Sequence, residues 1–402
     1  MRRTGSRQRH RTGFVPLAVT TGMLLVLTAT GRATAETAPP PQFTGSIERH
    51  FTTNAMDGVR AISDWYTLLR GSLHHEWGGK DASASLDAQF QATRYDTVKI
   101  EDDHALTLTA QAFRRLRPGL ELRGTLTYSA SNEGDDFTAD PFTLGTRTPQ
   151  QVFGAQAQLG IDLGNATSLV LEAGDGFEKI GLSRFRRQVL PAVQLDADRN
   201  RLQFGFRLAR TLGRLTVGAS GTALPVSVQR LGSPPVAIGF RRYALRGELT
   251  WTGPDGSTLG VAAGGEWLDA ENGLYSRVRP TWQVAFAKPL PHDFELRGSY
   301  CGRFEDADSD DPLASWLQRA ELEAALKIGA RLALSAGLFW QDKQNLLFEN
   351  TERSSGFYAE ATYRLTESTT AVLRVDASKT FTTVVDTDEE TVDMFLGWRA
   401  SL

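Results

Sequence analysis

Acidic and basic residues recur two positions apart at several places in the sequence. Three such pairs are Glu121/Arg123, Arg246/Glu248 and Glu295/Arg297. In an extended strand, residues i and i+2 lie on the same face, so each pair would place opposite charges side by side. Such pairs could orient a polar solute in a transverse field, and arginine could hold a carboxylate or phosphate in two places. The alternative, which we favour for the pairs themselves, is a lattice of ion pairs that stiffens a wall.

Other residue types give little support for catalysis or metal binding. The acidic run 305–311 is similar in composition to a calcium loop, but it lacks glycine at the sixth position and glutamate at the twelfth. His74 and His75 are adjacent, so on a strand they would face opposite ways and could not chelate one ion together. The single cysteine, Cys301, cannot form an internal disulfide. We therefore expect a protein that is not an enzyme and has no cofactor or metal.

The elements that would position the charges are β-strands. From about residue 68 onward, apolar and polar residues alternate in many short runs, which is typical of strands with one apolar face. The alternation is clearest at the C-terminus, where one face carries Val392, Met394, Leu396, Trp398, Ala400 and Leu402. Segment 313–328 also fits a helical template, but we assign it to a strand because charged residues occupy nearly every second position.

The chemistry of the two strand faces predicts a closed barrel in lipid. An open sheet edge cannot exist in hydrocarbon. The mean hydropathy of −0.29, together with the lack of any long apolar run after the N-terminal region, excludes a helical membrane protein. An Arg or Lys on the lipid face costs roughly 2–4 kcal/mol at the midplane, so the charged face is assigned to the lumen. We predict an all-β, transmembrane, antiparallel up-and-down barrel of about 16 strands, within a range of 14 to 18. The alternation of short and long connections slips between about 177 and 235, where we expect one misplaced strand.

The C-terminal strand resembles the last strand of Gram-negative outer-membrane β-barrel proteins. Those proteins usually end on Phe or Trp, whereas this chain has Trp398 and ends on Leu402. The resemblance is to porin-like or exopolysaccharide-export-type barrels, and it implies location in the bacterial outer membrane. It also implies contact with outer-membrane lipid and lipopolysaccharide, and recognition by the barrel-assembly machinery through the C-terminal strand. Association into homo-oligomers is left open.

The N-terminal region indicates export. Residues 1–35 combine a basic start, an apolar stretch and a small-x-small site at 33–35, which is typical of a cleaved signal peptide. We assign 36–66 to a periplasmic linker or short helix and 67–402 to the barrel. The net charge of −3 becomes more negative when the six arginines of 1–35 are removed, and such a balance excludes a nucleic-acid binder.

The charged residues of the predicted lumen form the candidate solute path. They are Arg123, Arg207, Arg246, Arg297, Arg319, Arg364, Arg374, Arg399, Glu121, Glu248, Glu295, Glu321, Glu360 and Asp393. So many charges require either water or dense pairing. We interpret the chain as an outer-membrane channel that passes polar or anionic solutes and selects them by pore radius and lumen charge. Two alternatives stay open: a conduit that exports a secreted polysaccharide, and a closed structural barrel or barrel enzyme.

Overall fold

The computed structural model describes residues 40–55, 61–139, 142–185, 190–195, 197–229, 238–306, 313–347, 349–383 and 387–401. These residues form 19 β-strands and two short 3-10 helices, Lys99–Glu101 and Glu271–Gly273. The first nine strands are β1 (Gln42–Thr52), β2 (Asp64–Gly78), β3 (Ala82–Tyr95), β4 (His104–Arg117), β5 (Leu120–Ala139), β6 (Phe142–Gly164), β7 (Thr167–Ile180), β8 (Arg184–Phe185) and β9 (Asp198–Leu212). The others are β10 (Leu215–Gln229), β11 (Phe240–Thr252), β12 (Thr258–Ala270), β13 (Ser276–Leu290), β14 (Phe294–Asp306), β15 (Ala314–Ile328), β16 (Leu332–Asn345), β17 (Thr351–Arg364), β18 (Thr369–Thr382) and β19 (Thr387–Ser401).

Eighteen of these strands form a closed antiparallel barrel. Consecutive strands pair along the ring, β7 pairs with β9, and β1 closes the ring by pairing with β19 from Thr44↔Ser401 to Thr52↔Asp393. The two-residue strand β8 stays outside the ring and pairs with β6. The predicted all-β, antiparallel, closed barrel is therefore confirmed. The predicted total of about 16 strands is wrong, although 18 lies at the upper limit of the expected range.

Two individual strand assignments also differ from the structure. Segment 42–52, which we placed in a linker before the barrel, is β1, so the barrel begins at Gln42 rather than at residue 67. Between about 177 and 235, where we expected one misplaced strand, the alternating run near 186–195 predicts a strand, but residues 190–195 contribute only an isolated bridge from Val193 to Ser183. Segment 313–328 is a strand, as predicted. The predicted signal peptide, 1–35, lies outside the described residues.

The barrel has an apolar outer face and a polar inner face. Large apolar side chains are exposed on the outer face, among them Leu245 at 62%, Val278 at 70% and Leu338 at 60%. Lipid is the solvent that such a surface suits, because strands of outer-membrane barrels alternate between lipid-facing apolar and lumen-facing polar residues. Within the described ranges, no helix is both long enough and apolar enough to cross a membrane.

Short turns join the strands at one end of the barrel, and longer connections join them at the other. Asn165 and Ala166, between β6 and β7, both adopt a positive φ, as tight two-residue hairpin turns require. Between β11 and β12, Asp255 accepts hydrogen bonds from the Ser257 hydroxyl at 2.8 Å and the Ser257 backbone N–H at 3.0 Å. The bond from the Ser257 hydroxyl is the main cause that lowers the pKa of Asp255 from its ordinary value. The short-turn end corresponds to the periplasmic end of outer-membrane barrels.

Candidate functional site

The candidate site is the lumen wall. All fourteen residues of the predicted solute path lie on the sheet face opposite the exposed apolar side chains. For example, Arg246 pairs across the ladder with Ser220 and Gly264, while its neighbour Leu245 is on the outer face. Because paired residues of an antiparallel ladder share a face, the register extends this assignment around the ring. Their role in solute passage stays a prediction.

A first group of charges lies on β14 and β15. Arg297 forms an ion pair with Glu295 at 2.8 Å and approaches Glu323 on β15 at 3.9 Å. Tyr358 on β17 donates a hydrogen bond from its hydroxyl to Glu323 at 2.7 Å, crossing β16. Three strands are thus connected on the lumen face by one chain of polar contacts. The sequence-predicted contact within the pair Glu295/Arg297 is present.

The same lattice continues to β18. Arg319 on β15 pairs with Glu321 at 2.7 Å. Arg374 on β18 pairs with Asp376 at 2.6 Å and with Glu360 on β17 at 3.5 Å. A recess of about 680 Å³ is bordered by Arg319, Glu321, Arg374 and Asp376, among other residues. This part of the wall holds its arginines among carboxylates, which agrees with the stiffening role that we favoured.

A second group of charges lies on β9, β11 and β12. Arg207 on β9 reaches across β10 to pair with Glu248 at 2.7 Å. Arg246 pairs with Glu266 on β12 at 3.3 Å rather than with Glu248, its neighbour in sequence. Arg242 also contacts Glu266 at 3.3 Å. Glu266 is 3% exposed and forms ion pairs with both arginines. The sequence analysis did not include it in the solute path.

A third group lies where the first and last strands meet. Glu48 on β1 is 1% exposed and pairs with Arg70 at 2.8 Å and Arg399 at 3.9 Å. The His50 ring lies between two carboxylates, with Nε2 3.1 Å from Glu48 and Nδ1 3.0 Å from Asp393. Sequence reasoning missed Glu48 and His50 because it left β1 out of the barrel. The apolar residues at 43, 47 and 51 were the signal that could have revealed this strand.

Three residues of the predicted path have weaker connections. Arg123 lies 3.6 Å from Glu121, which also contacts Arg115 at 3.4 Å. Arg364 forms no ion pair with any residue that the structure describes.

Across the described ranges, no three His, Cys, Asp or Glu side chains are grouped so that they could hold a metal ion.

The β14–β15 hairpin folds into the lumen at the end where its two strands are connected. We call residues 302–306 and 313–317 the inward hairpin end. The β13–β14 ladder stops at Trp282↔Gly302, whereas β14 stays paired with β15 as far as Asp306↔Ala314. Beyond this point β14 leaves the wall and crosses the lumen face of its neighbours. The inward hairpin end thereby narrows one side of the lumen.

Polar contacts join the inward hairpin end to the lumen face of β9, β11 and β12. Asp306 pairs with Arg242 on β11 at 3.1 Å and approaches Arg201 on β9 at 3.7 Å. The backbone carbonyl of Phe304 accepts a hydrogen bond from Arg242 at 2.9 Å, and its backbone N–H donates to Glu266 at 3.4 Å. The backbone groups that left the β13–β14 ladder thus gain partners inside the barrel.

An apolar cluster lies beneath the inward hairpin end. Phe304 packs edge-on against Trp316, with ring centroids 5.0 Å apart, and Arg279 lies over the Trp316 ring at 5.1 Å. Lumen-face residues of β11 and β12 complete the cluster, including Phe240 and the fully buried Leu268. Burial of this apolar surface stabilises the folded-in position. The lumen therefore contains an apolar region beside its charged wall.

Comparisons with known proteins identify the fold. No family model matches the chain, and no curated protein does. Among solved structures, OccK2 (OpdF) of Pseudomonas aeruginosa has a TM-score of 0.51 at 12% identity, covering 92% of this chain and all of that one. OccK1 (OpdK) of Pseudomonas aeruginosa has a TM-score of 0.51 at 9% identity, covering 90% and 99%. The copper transporter OprC has a TM-score of 0.55 at 10% identity, covering 90% and 80%.

These similarities concern the fold. The chain has the fold of Gram-negative outer-membrane β-barrel proteins, so the resemblance inferred from the C-terminal strand is confirmed at that level. Location in the bacterial outer membrane agrees with this fold and with the apolar exterior of the barrel.

Proposed function

We propose that this protein is an outer-membrane channel that passes polar solutes through the lumen of its 18-stranded barrel. The observation that carries the proposal is the exposure of charged side chains inside the wall. Arg123, Arg207 and Arg297 are 63%, 57% and 57% exposed. A packed interior would bury these groups, whereas barrels of 16 to 18 strands leave an aqueous channel.

Selection in such a channel depends on the remaining width and on the charges that border it. The inward hairpin end narrows the lumen on the side of β9 to β13, so a solute passes along the other strands. The arginines there pair with acids, but their exposed N–H groups remain donors for a carboxylate or phosphate. This supports anionic solutes as part of the cargo. The cargo of solved neighbours differs, since OccK2 has been solved in complex with glucuronate and OprC is a copper transporter.

Conductance in planar lipid bilayers tests the proposal. Purified barrel should give discrete conductance steps, and the reversal potential in a salt gradient should favour anions. The double variant Arg297→Gln/Arg319→Gln should shift the reversal potential toward cations, because two positive charges leave the lumen. Arg210→Gln is the matched control, since this arginine lies on the outer face of β9. Protein that inserts without conductance steps would refute the channel and favour the closed structural barrel.

The predicted partners belong to the same proposal. The exposed apolar side chains would contact outer-membrane lipid, and the basic and acidic groups of the long connections would contact lipopolysaccharide. The assembly machinery would recognise β19. Association of barrels with one another stays a prediction.

A second candidate function is a conduit for an exported polysaccharide. One observation favours it: part of the lumen wall carries amides and hydroxyls in place of ion pairs.

A further inference from the structure

The lumen face of β3 to β6 differs in chemistry from the rest of the wall. Its inward positions carry mainly glutamine, threonine and serine, and we call five of its glutamines the amide arc. They are Gln89 and Gln91 on β3, Gln111 on β4, and Gln156 and Gln158 on β6. The hydroxyls of Ser85, Thr107, Thr125 and Thr127 lie between them on the same face. Gln111, Gln156 and Gln158 lie in the short-turn half of the barrel, whereas Gln89 and Gln91 lie nearer the longer connection between β3 and β4.

A recess of about 550 Å³ lies within the amide arc. Its lining includes Gln111, Gln156 and Gln158, together with Thr125, Phe113 and Arg123. The Arg123 guanidinium lies 5.4 Å from the centre of the Phe113 ring, so one apolar surface and one cationic group border the same space. The recess is therefore a polar pocket with an aromatic wall, open to the channel.

The amides of this recess are free to bind a ligand. The side-chain amides of Gln111 and Gln158 form no hydrogen bond with any residue that the structure describes, and the side chain of Gln156 makes one long bond of 3.5 Å to Glu172. An amide offers two donor hydrogens and an acceptor oxygen, and a threonine hydroxyl both donates and accepts. Sugar hydroxyls have the same dual character, so a carbohydrate can satisfy several of these groups at once.

The charge of the recess distinguishes a neutral sugar from an acidic one. Arg123 is the only arginine among the lining residues, and Glu121 lies 3.6 Å from it. Glu76 also borders the recess, and its charge is opposite to that of Arg123. His74, the other titratable neighbour, is hydrogen-bonded to Asp87 at 2.7 Å. The recess consequently has no surplus of positive charge with which to attract a carboxylate.

We propose that the recess in the amide arc is a binding site for a neutral oligosaccharide. Amides and hydroxyls hold the sugar hydroxyls, and the Phe113 ring packs against the C–H face of one sugar unit. The site deepens the proposed channel function, on which it rests for access of the sugar through the lumen. It assigns a substrate class to one side of the lumen, while the ion-paired wall on β14 to β18 serves mainly to stiffen the barrel.

Direct binding tests the site without requiring passage. Detergent-solubilised barrel is titrated with maltopentaose, cellopentaose and isomaltopentaose, and binding is followed by saturation-transfer NMR. At least one of the three should bind. The variant Gln111→Ala/Gln158→Ala should weaken that binding about tenfold, because it removes two hydrogen-bonding side chains of modest individual strength. Gln283→Ala, on the lumen face of β13 and outside the recess, should leave the affinity unchanged.

Three results would overturn the proposal. These are failure of all three sugars to bind, equal affinity in the double variant and the wild type, and binding of an oligouronate while the neutral sugars do not bind. Barrel closure of each variant is checked by its β-type circular dichroism and by heat-dependent migration on gels. The outcome is separable from that of the channel experiment. Sugar binding without conductance would reject passage and keep the site, whereas conductance without binding would do the reverse.

Discussion

Replacing Phe304 by alanine tests whether the inward hairpin end limits passage. Phe304 belongs to the inward hairpin end and is 2% exposed, and its side chain packs against the lumen face of β11 and β12. Truncation of a buried phenylalanine costs about 3–5 kcal/mol. The ladders that close the barrel do not depend on this ring, so we expect the loss to fall on the docked position of the hairpin end.

The size of the effect follows from that loss. Since 1.4 kcal/mol is tenfold in an equilibrium constant, the ratio of docked to undocked hairpin should fall by about two to four orders of magnitude. An undocked end frees the space that it occupies beside Arg242 and Glu266. Single-channel recordings should therefore give a larger conductance for Phe304→Ala, with more frequent transitions between levels.

A second phenylalanine provides the control. Phe357 on β17 is 49% exposed on the outer face, so Phe357→Ala removes the same atoms from the lipid side. Its conductance should equal that of the wild type. If Phe304→Ala and Phe357→Ala have the same conductance, while both barrels remain closed by gel migration, the inward hairpin end does not restrict the pore.

Three further substitutions test the ion pairs where β1 meets β19 and the assignment of the two barrel faces. Glu48→Gln removes the negative charge that Arg70 and His50 contact. Because the Arg70 side chain is 45% exposed, the loss should be about 1.5–3 kcal/mol, as for a hydrogen bond to a charged group, and the temperature of the heat-dependent gel shift should fall; an unchanged temperature would contradict the pairing. Leu245→Arg places a charge on the lipid face at a cost of about 2–4 kcal/mol near the midplane. Ala244→Arg, one residue earlier on the lumen face, should cost less, and the reverse order in denaturant-unfolding experiments would invert the two faces.

The strands and their faces could be predicted because alternation is a local property. The last strand was predicted from Glu389 to Leu402, and β19 spans Thr387–Ser401. β1 escaped detection because Arg49 interrupts its outer face and a proline-rich stretch precedes it. Arg49 is tolerated there because it pairs with Asp96 near the rim of the barrel. The two residues are far apart in the sequence, so this pair could not be predicted from alternation.

The ion pairs could be predicted only in part. Glu295 and Arg297 meet because they are neighbours on one strand, and their spacing alone shows this. The contact between Arg207 and Glu248 depends on the register of three strands, which alternation leaves undetermined. The inward hairpin end has no sequence signal at all. Phe304 continues the outward apolar pattern of β14, and the same pattern would serve against lipid or against a neighbouring wall.

The pairing of β1 with β19 has a consequence for biosynthesis. The two strands that complete the ring are the first and the last of its strands in chain order, so a product that lacks β19 cannot complete the cylinder. A chain that stops after β18 exposes two unpaired edges, each with backbone groups that hydrocarbon cannot satisfy. Closure of the ring in lipid therefore requires both strands in one chain.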